Sequence, residues 1–87
     1  MSTLTAEFRP IAKSVFFSAD AMRVVLADDR ELVVPLRYFP RLQKATASAR
    51  KKWELIGGGI GIHWPLIDED ISVENLLSPH PASGRRK

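Results

Sequence analysis

His63 is the side chain of this sequence best suited to chemistry. It lies between Ile62 and Trp64, and in an extended segment it points away from the face those two share. Asp68 and Asp70 follow closely. A histidine held by a carboxylate is a general acid–base pair. Such a pair needs a nucleophile beside it, and no motif sets a Ser, Cys or Lys there. The simpler expectation is a histidine hydrogen-bonded within a sheet or at an interface. A small enzyme using His63 with Asp68 or Asp70 is the catalytic alternative.

Three other groupings invite chemistry. Gly57-Gly58-Gly59-Ile60-Gly61 looks like a phosphate cradle, but Ile62-His63-Trp64-Pro65 follows in place of the Lys-Ser/Thr and helix that a P-loop needs. A hairpin turn is expected instead. Asp68, Glu69, Asp70 and Glu74 are oxygen ligands without the spacing or glycine of an EF-hand loop. His63 and His80 do not form a zinc motif. No metal and no cofactor is expected. Arg37, Arg41, Lys44, Arg50, Lys51 and Lys52 form a basic run with no acid among them, an electrostatic footprint that suits phosphates or an acidic protein surface.

The charge is segregated. The net charge of +3 resides in the tail Arg85-Arg86-Lys87, and without it bases and acids balance. The basic run at residues 37–52 is followed by Glu54, Asp68, Glu69, Asp70 and Glu74 with no base until the tail. Such blocks can pair internally, pair across subunits or attract an outside ion. With 87 residues one domain is expected, and about 60–65% of its unfolded surface can be buried. Cysteine is absent, so no disulfide framework or thiolate metal site supports the fold. The first residues lack the pattern of a signal peptide, and no apolar run reaches a membrane span of roughly 20 residues. The cytoplasm is the expected compartment.

The elements that must position these residues follow from periodicity. Residues 11–19 alternate, with Lys13, Val15, Phe17 and Ala19 on one face, and predict a strand. Residues 22–27 and 30–36 predict two more, joined by a short turn at Asp28-Asp29. Pro35 marks a strand end or an edge. Pro40 suits the first turn of a helix. Phe39, Leu42, Thr46, Ala49 and Trp53 then form its apolar stripe, with Arg37, Arg41, Lys44 and Lys51 opposite. The helix is expected to break near Thr46-Ala47-Ser48, with Ser48 capping a second piece. Residues 53–56 and 60–64 predict strands, residues 66–71 an acidic loop, and residues 73–77 a short helix capped by Ser72 and stapled by Ile71 and Leu76. The expectation is an α+β fold, order β-β-β-α-β-β-α, with an antiparallel sheet of about five strands and two or three short helices. The domain spans residues 10–78, between a flexible lead-in at 1–9 and a disordered basic tail at 79–87.

Several of these pieces together resemble a known family. Pro35-Leu36, Phe39-Pro40-Arg41-Leu42, Ala45-Thr46, Trp53-Glu54-Leu55-Ile56-Gly57 with Gly59, Gly61-Ile62-His63-Trp64-Pro65, Asp68-Glu69-Asp70-Ile71-Ser72 and Leu76-Leu77 are similar to the small bacterial family called domain of unknown function 2442. The likeness runs from Val15 to Leu77. One departure is Asp29, where such sequences usually carry the glycine of Asp-Gly-Arg. The resemblance implies an α+β fold with an antiparallel sheet and brings no catalytic residues. Members often sit beside genes for small toxin-like proteins, and some carry a helix-turn-helix domain. An antitoxin-like or regulatory role is thereby implied. These 87 residues leave no room for the DNA-binding addition, so none is expected.

The expected function is a non-enzymatic binding module that meets another protein or its own copy. Arg37, Arg41, Lys44, Lys51, His63, Trp64, Asp68, Glu69 and Asp70 are its candidate contact residues. A nucleic-acid accessory using residues 37–52 is the alternative. No membrane partner is expected.

Overall fold

The computed structural model describes residues 10–78. The expected lead-in at 1–9 and tail at 79–87 lie outside the described residues, as does His80. Two antiparallel three-stranded sheets share one core. The first is a meander of β1 (Ala12–Phe17), β2 (Ala21–Leu26) and β3 (Glu31–Pro35). Two short helices follow, α1 (Pro40–Lys44) and α2 (Ala47–Lys51). The second sheet is β4 (Glu54–Ile56), β5 (Gly61–Trp64) and β6 (Glu69–Ser72), and α3 (Val73–Leu76) completes the described chain. The class is α+β, as expected, with six strands in two sheets instead of about five in one.

The first sheet carries the pattern of its sequence with one shift. A bulge between Ala12 and Ser14 inserts Lys13 as an extra residue. Below it Val15 and Phe17 face inward as the alternation requires. Above it Ala12 enters the core and Lys13 turns out to pair with Asp29 at 2.6 Å. Pro35 ends β3, which is an edge strand, so its missing N–H breaks no ladder.

The β2–β3 turn is closed by Asp29 N–H donating to Leu26 O (2.8 Å) and Leu26 N–H donating to Arg30 O (2.7 Å). Asp28 accepts from the Arg30 backbone and guanidinium (3.1 and 2.8 Å), and these contacts hold its carboxyl below the usual carboxylate range. Asp29 has φ 74°, the left-handed conformation in which a three-residue hairpin loop normally places glycine. The family's glycine thus falls where the backbone asks for one.

The basic segment folds as two pieces. Pro40 takes the first position of α1, and Phe39 and Leu42 are fully buried. The break comes at Ala45, and Thr46 caps α2 by accepting from Ala49 N–H at 3.0 Å. Thr46, not Ser48, is the cap, because the chain turns extended one residue earlier than expected. α2 buries none of its residues. It is held chiefly by Arg50, whose guanidinium donates to Leu42 O and Gln43 O, both at 2.8 Å. Both carbonyls lie at the end of α1, where Leu42 O also accepts from Ala45 N–H at 3.2 Å.

The β4–β5 connection bears all three glycines at positive φ. Gly59 also needs its missing side chain, since a Cβ there would lie 2.6 Å from Ala12 O. β5 starts at Gly61, so Ile60 belongs to the turn and is exposed. Ile62 and Trp64 are fully buried. The expected acidic loop is in large part a strand. Asp68 turns the chain at φ 59°, and Glu69 to Ser72 then pair with β5. Ser72 caps α3 by accepting from Asn75 N–H at 3.0 Å, and Ile71 and Leu76 are both buried.

Trp64 joins the layers. Its ring meets Phe17 edge-on at 6.3 Å, and its Nε1–H donates to Arg50 O at 3.1 Å. The Arg50 guanidinium lies 5.6 Å over the Phe17 ring. Three substitutions test these contacts and the β2–β3 turn. Arg50→Ala removes the side-chain bonds to Leu42 O and Gln43 O, the first of which keeps its bond from Ala45 N–H, and should destabilise the protein by about 1–3 kcal/mol. Arg50→Lys should recover less than half of that, because an ammonium cannot fork to two carbonyls as guanidinium does. Asp29→Gly should stabilise by a few tenths to about 1 kcal/mol, the relief of positive φ exceeding the loss of an exposed ion pair. Urea unfolding midpoints check all three.

Candidate functional site

β5 sets His63 on the outer face of the second sheet. Register places Glu54 of β4 directly opposite on one side and Asp70 of β6 on the other. The result is a lateral row of carboxylate, imidazole and carboxylate. The His63 ring meets Asp70 through Nδ1 and Oδ1. Asp68, the other acid considered for it, is elsewhere: Arg41 donates to Asp68 O at 2.9 Å and lies 3.8 Å from its carboxylate. Both members of the His63–Asp70 pair are partly open to solvent. A lone imidazole–carboxylate pair can hold or shuttle a proton. It has no chamber in which to use it among three described cavities, of about 590, 360 and 80 Å³, because His63 lines none of them. Among the described residues no group of three or more His, Cys, Asp or Glu side chains could hold a metal ion.

The remaining contact candidates separate into available and unavailable. Trp64 and Glu69 are corrected: both have 0% exposure, so neither side chain can meet a partner. Trp64 is drawn in by the apolar face it shares with Ile62. Glu69 follows because it stands directly opposite Trp64 on β6. Arg41 and Asp68 are exposed and Asp70 is half-buried, and all three are engaged within the fold. Arg37 projects from a turn at Leu36–Tyr38, with its guanidinium 5.2 Å over the Tyr38 ring. Lys44 and Lys51 end α1 and α2 and are exposed. The two charge blocks therefore meet internally at Arg41–Asp68, and much of the basic run is left facing water.

The cavity of about 590 Å³ is a groove that the sequence did not single out. One wall is Val15, Phe16, Phe17, Ser18 and Ala19; the other is Ala47, Arg50, Lys51 and Trp53. Apolar area dominates, and Arg50 and Lys51 give it a basic rim. In the sequence Phe16 and Phe17 read only as strand residues, Trp53 as the end of a helical stripe, and Arg50 as one more base. Nothing in their spacing brings residues 15–19 against residues 47–53.

The family described as protein of unknown function (DUF2442) matches residues 12–82. The chain belongs to that family. Two solved structures share the architecture. A crystal structure of a protein of unknown function from Rhodospirillum rubrum ATCC 11170 superposes with a TM-score of 0.74 at 23% identity, covering 88% of this chain and 95% of that one. The solution structure of an uncharacterized protein from Chromobacterium violaceum gives 0.71 at 25% identity, covering 85% and 70%. No curated protein matches. Among the described residues no helix is long and apolar enough to cross a membrane.

A double-mutant cycle on His63→Ala and Asp70→Ala tests the row. A part-exposed pair of this kind should couple by about 0.2–1 kcal/mol, read from the urea midpoints of the two single variants and the double variant.

Proposed function

We propose that this protein is a non-enzymatic protein-binding module whose contact surface is the basic face built from residues 37–52. One observation carries the reading: the centre of the acidic block, Asp68 to Asp70, is engaged within the fold, while lysines of the basic block face solvent without an ion pair. Glu69 is buried, Asp68 holds Arg41 and Asp70 holds His63. Lys44, Lys51 and Lys52 are exposed. Among the described residues none of these three makes an ion pair. A surface with one sign of charge steers and selects partners of the other sign. An acidic protein is the partner it fits. The antitoxin-like or regulatory role implied by the family resemblance is one form such binding takes. A bacterial cytoplasm is the setting that this role and the cysteine-free sequence suit.

Nucleic acid is the rival for the same face, and nuclease treatment separates the two. The immobilised protein should retain a partner from a bacterial lysate that resists nuclease and yields to protease. The triple variant Lys44→Glu, Lys51→Glu, Lys52→Glu should lose at least about tenfold of it, with circular dichroism unchanged. Loss on nuclease treatment transfers the face to nucleic acid. Equal retention by the variant removes the face from function altogether.

A further inference from the structure

The groove between β1 and α2 has the form of a strand-binding slot. β1 is the edge of its sheet: β2 pairs with one side, and among the described residues no strand pairs with the other. The groove runs along that open side. Its wall includes inward residues Val15 and Phe17 and the outward residue Phe16 in unbroken succession, which happens along a strand's edge and not over either face. The main-chain groups of an edge strand are a template for another strand. Across the gap stand Trp53, partly open, and Lys51 with Arg50. A volume of about 590 Å³ lies within the roughly 300–1,000 Å³ typical of ligand sites.

We propose that this groove takes an extended segment of the partner protein, rich in apolar and acidic residues, which adds as a further strand to the open edge of β1. This rests on the protein-binding reading above and names the partner's chemistry. Main-chain bonds to β1 would supply affinity. Alternate side chains would select: apolar ones against Phe17 and Trp53, and Asp or Glu toward Lys51 and the Arg50 rim. Charge complementarity favours this occupant over the chain's own tail Arg85-Arg86-Lys87, which is basic like the rim.

The test uses the full chain and a displayed library of random 12-residue peptides, followed by synthesis of the selected sequence. Enriched peptides should combine apolar and acidic residues and change the Trp53 fluorescence on binding. Ala47→Trp, which fills the groove from an exposed position, and Lys51→Glu should each weaken the selected peptide at least tenfold. Lys44→Glu makes the same charge change on the basic face but outside the groove, and should weaken the selected peptide less than Lys51→Glu does. N-methylating one alternate set of peptide amides should abolish binding, and methylating the other set should be tolerated, because strand addition uses every second amide. That last arm depends on no protein variant folding correctly. Tolerance of both sets, or equal loss from both, overturns strand addition. Equal effects of Lys44→Glu and Lys51→Glu with none from Ala47→Trp overturn the groove while leaving the basic face as the binding surface. Enrichment of peptides without acids, or of none, overturns the groove proposal, while the protein-binding reading is decided by the nuclease and protease test of the basic face. A concentration-dependent dimer in sedimentation, dispersed by Ala47→Trp, would assign the groove to a second copy and overturn the proposal.

Discussion

The fold turns on a tryptophan and an arginine that meet through the arginine's backbone. Trp64 comes from the middle strand of the second sheet, and Arg50 from the short helix that joins the sheets in sequence. The indole N–H donates to Arg50 O, so the largest buried side chain has its one polar atom satisfied where it is needed. The guanidinium then reaches back to Leu42 O and Gln43 O and lies over Phe17. A five-residue helix with no buried residue has no stability of its own. α2 is positioned because its arginine closes α1 and its backbone receives the indole. The groove inherits that placement, since α2 is one of its walls.

Much of this was legible in the sequence. Alternation located β1, β2 and β3, the prolines marked the end of β3 and the start of α1, and Ser72 announced α3. These are local signals, and local sterics decide them. The failures share a cause. Alternation sets Lys13 on the face of Val15 and Phe17, and a bulge between Ala12 and Ser14 turns it out. Residues 68–70 read as a loop by their charge, yet Glu69 and Asp70 are strand residues, one buried opposite Trp64 and the other bound to His63. Both outcomes depend on the partner strand, and a single sequence shows no partner. The groove was illegible for the same reason, because its walls, residues 15–19 and 47–53, are distant in the chain.

The row of Glu54, His63 and Asp70 shows how a catalytic-looking set can arise from register alone. Residues directly opposite in an antiparallel pair share a face. An acid on each flanking strand is therefore enough to bracket a histidine on the middle one. The row contributes pairing energy to a short sheet. The row lies on the outward face, while Ile62, Trp64 and Ile71 on the inward face build the core.

The edges of the two sheets are managed unequally, and the inequality bears on function. β3 ends in proline and carries Glu31 bound to Arg23. β4 has only three residues and follows Lys51 and Lys52, so it offers little to pair with. Short length, proline and flanking lysine are the usual protections of a bare edge. β1 has a bulge and Lys13 at its start, which spoil pairing there. Its second half has none of these devices: Val15, Phe16 and Phe17 are uncharged β-formers beside an open groove. An unprotected apolar edge invites aggregation wherever it lies flat against solvent. Here α2 and Trp53 stand across the gap as the far wall of the groove. Under the strand-addition proposal the basic rim on the far wall would make the same edge selective, because an apolar strand without acids would gain the ladder and lose the charge pairing.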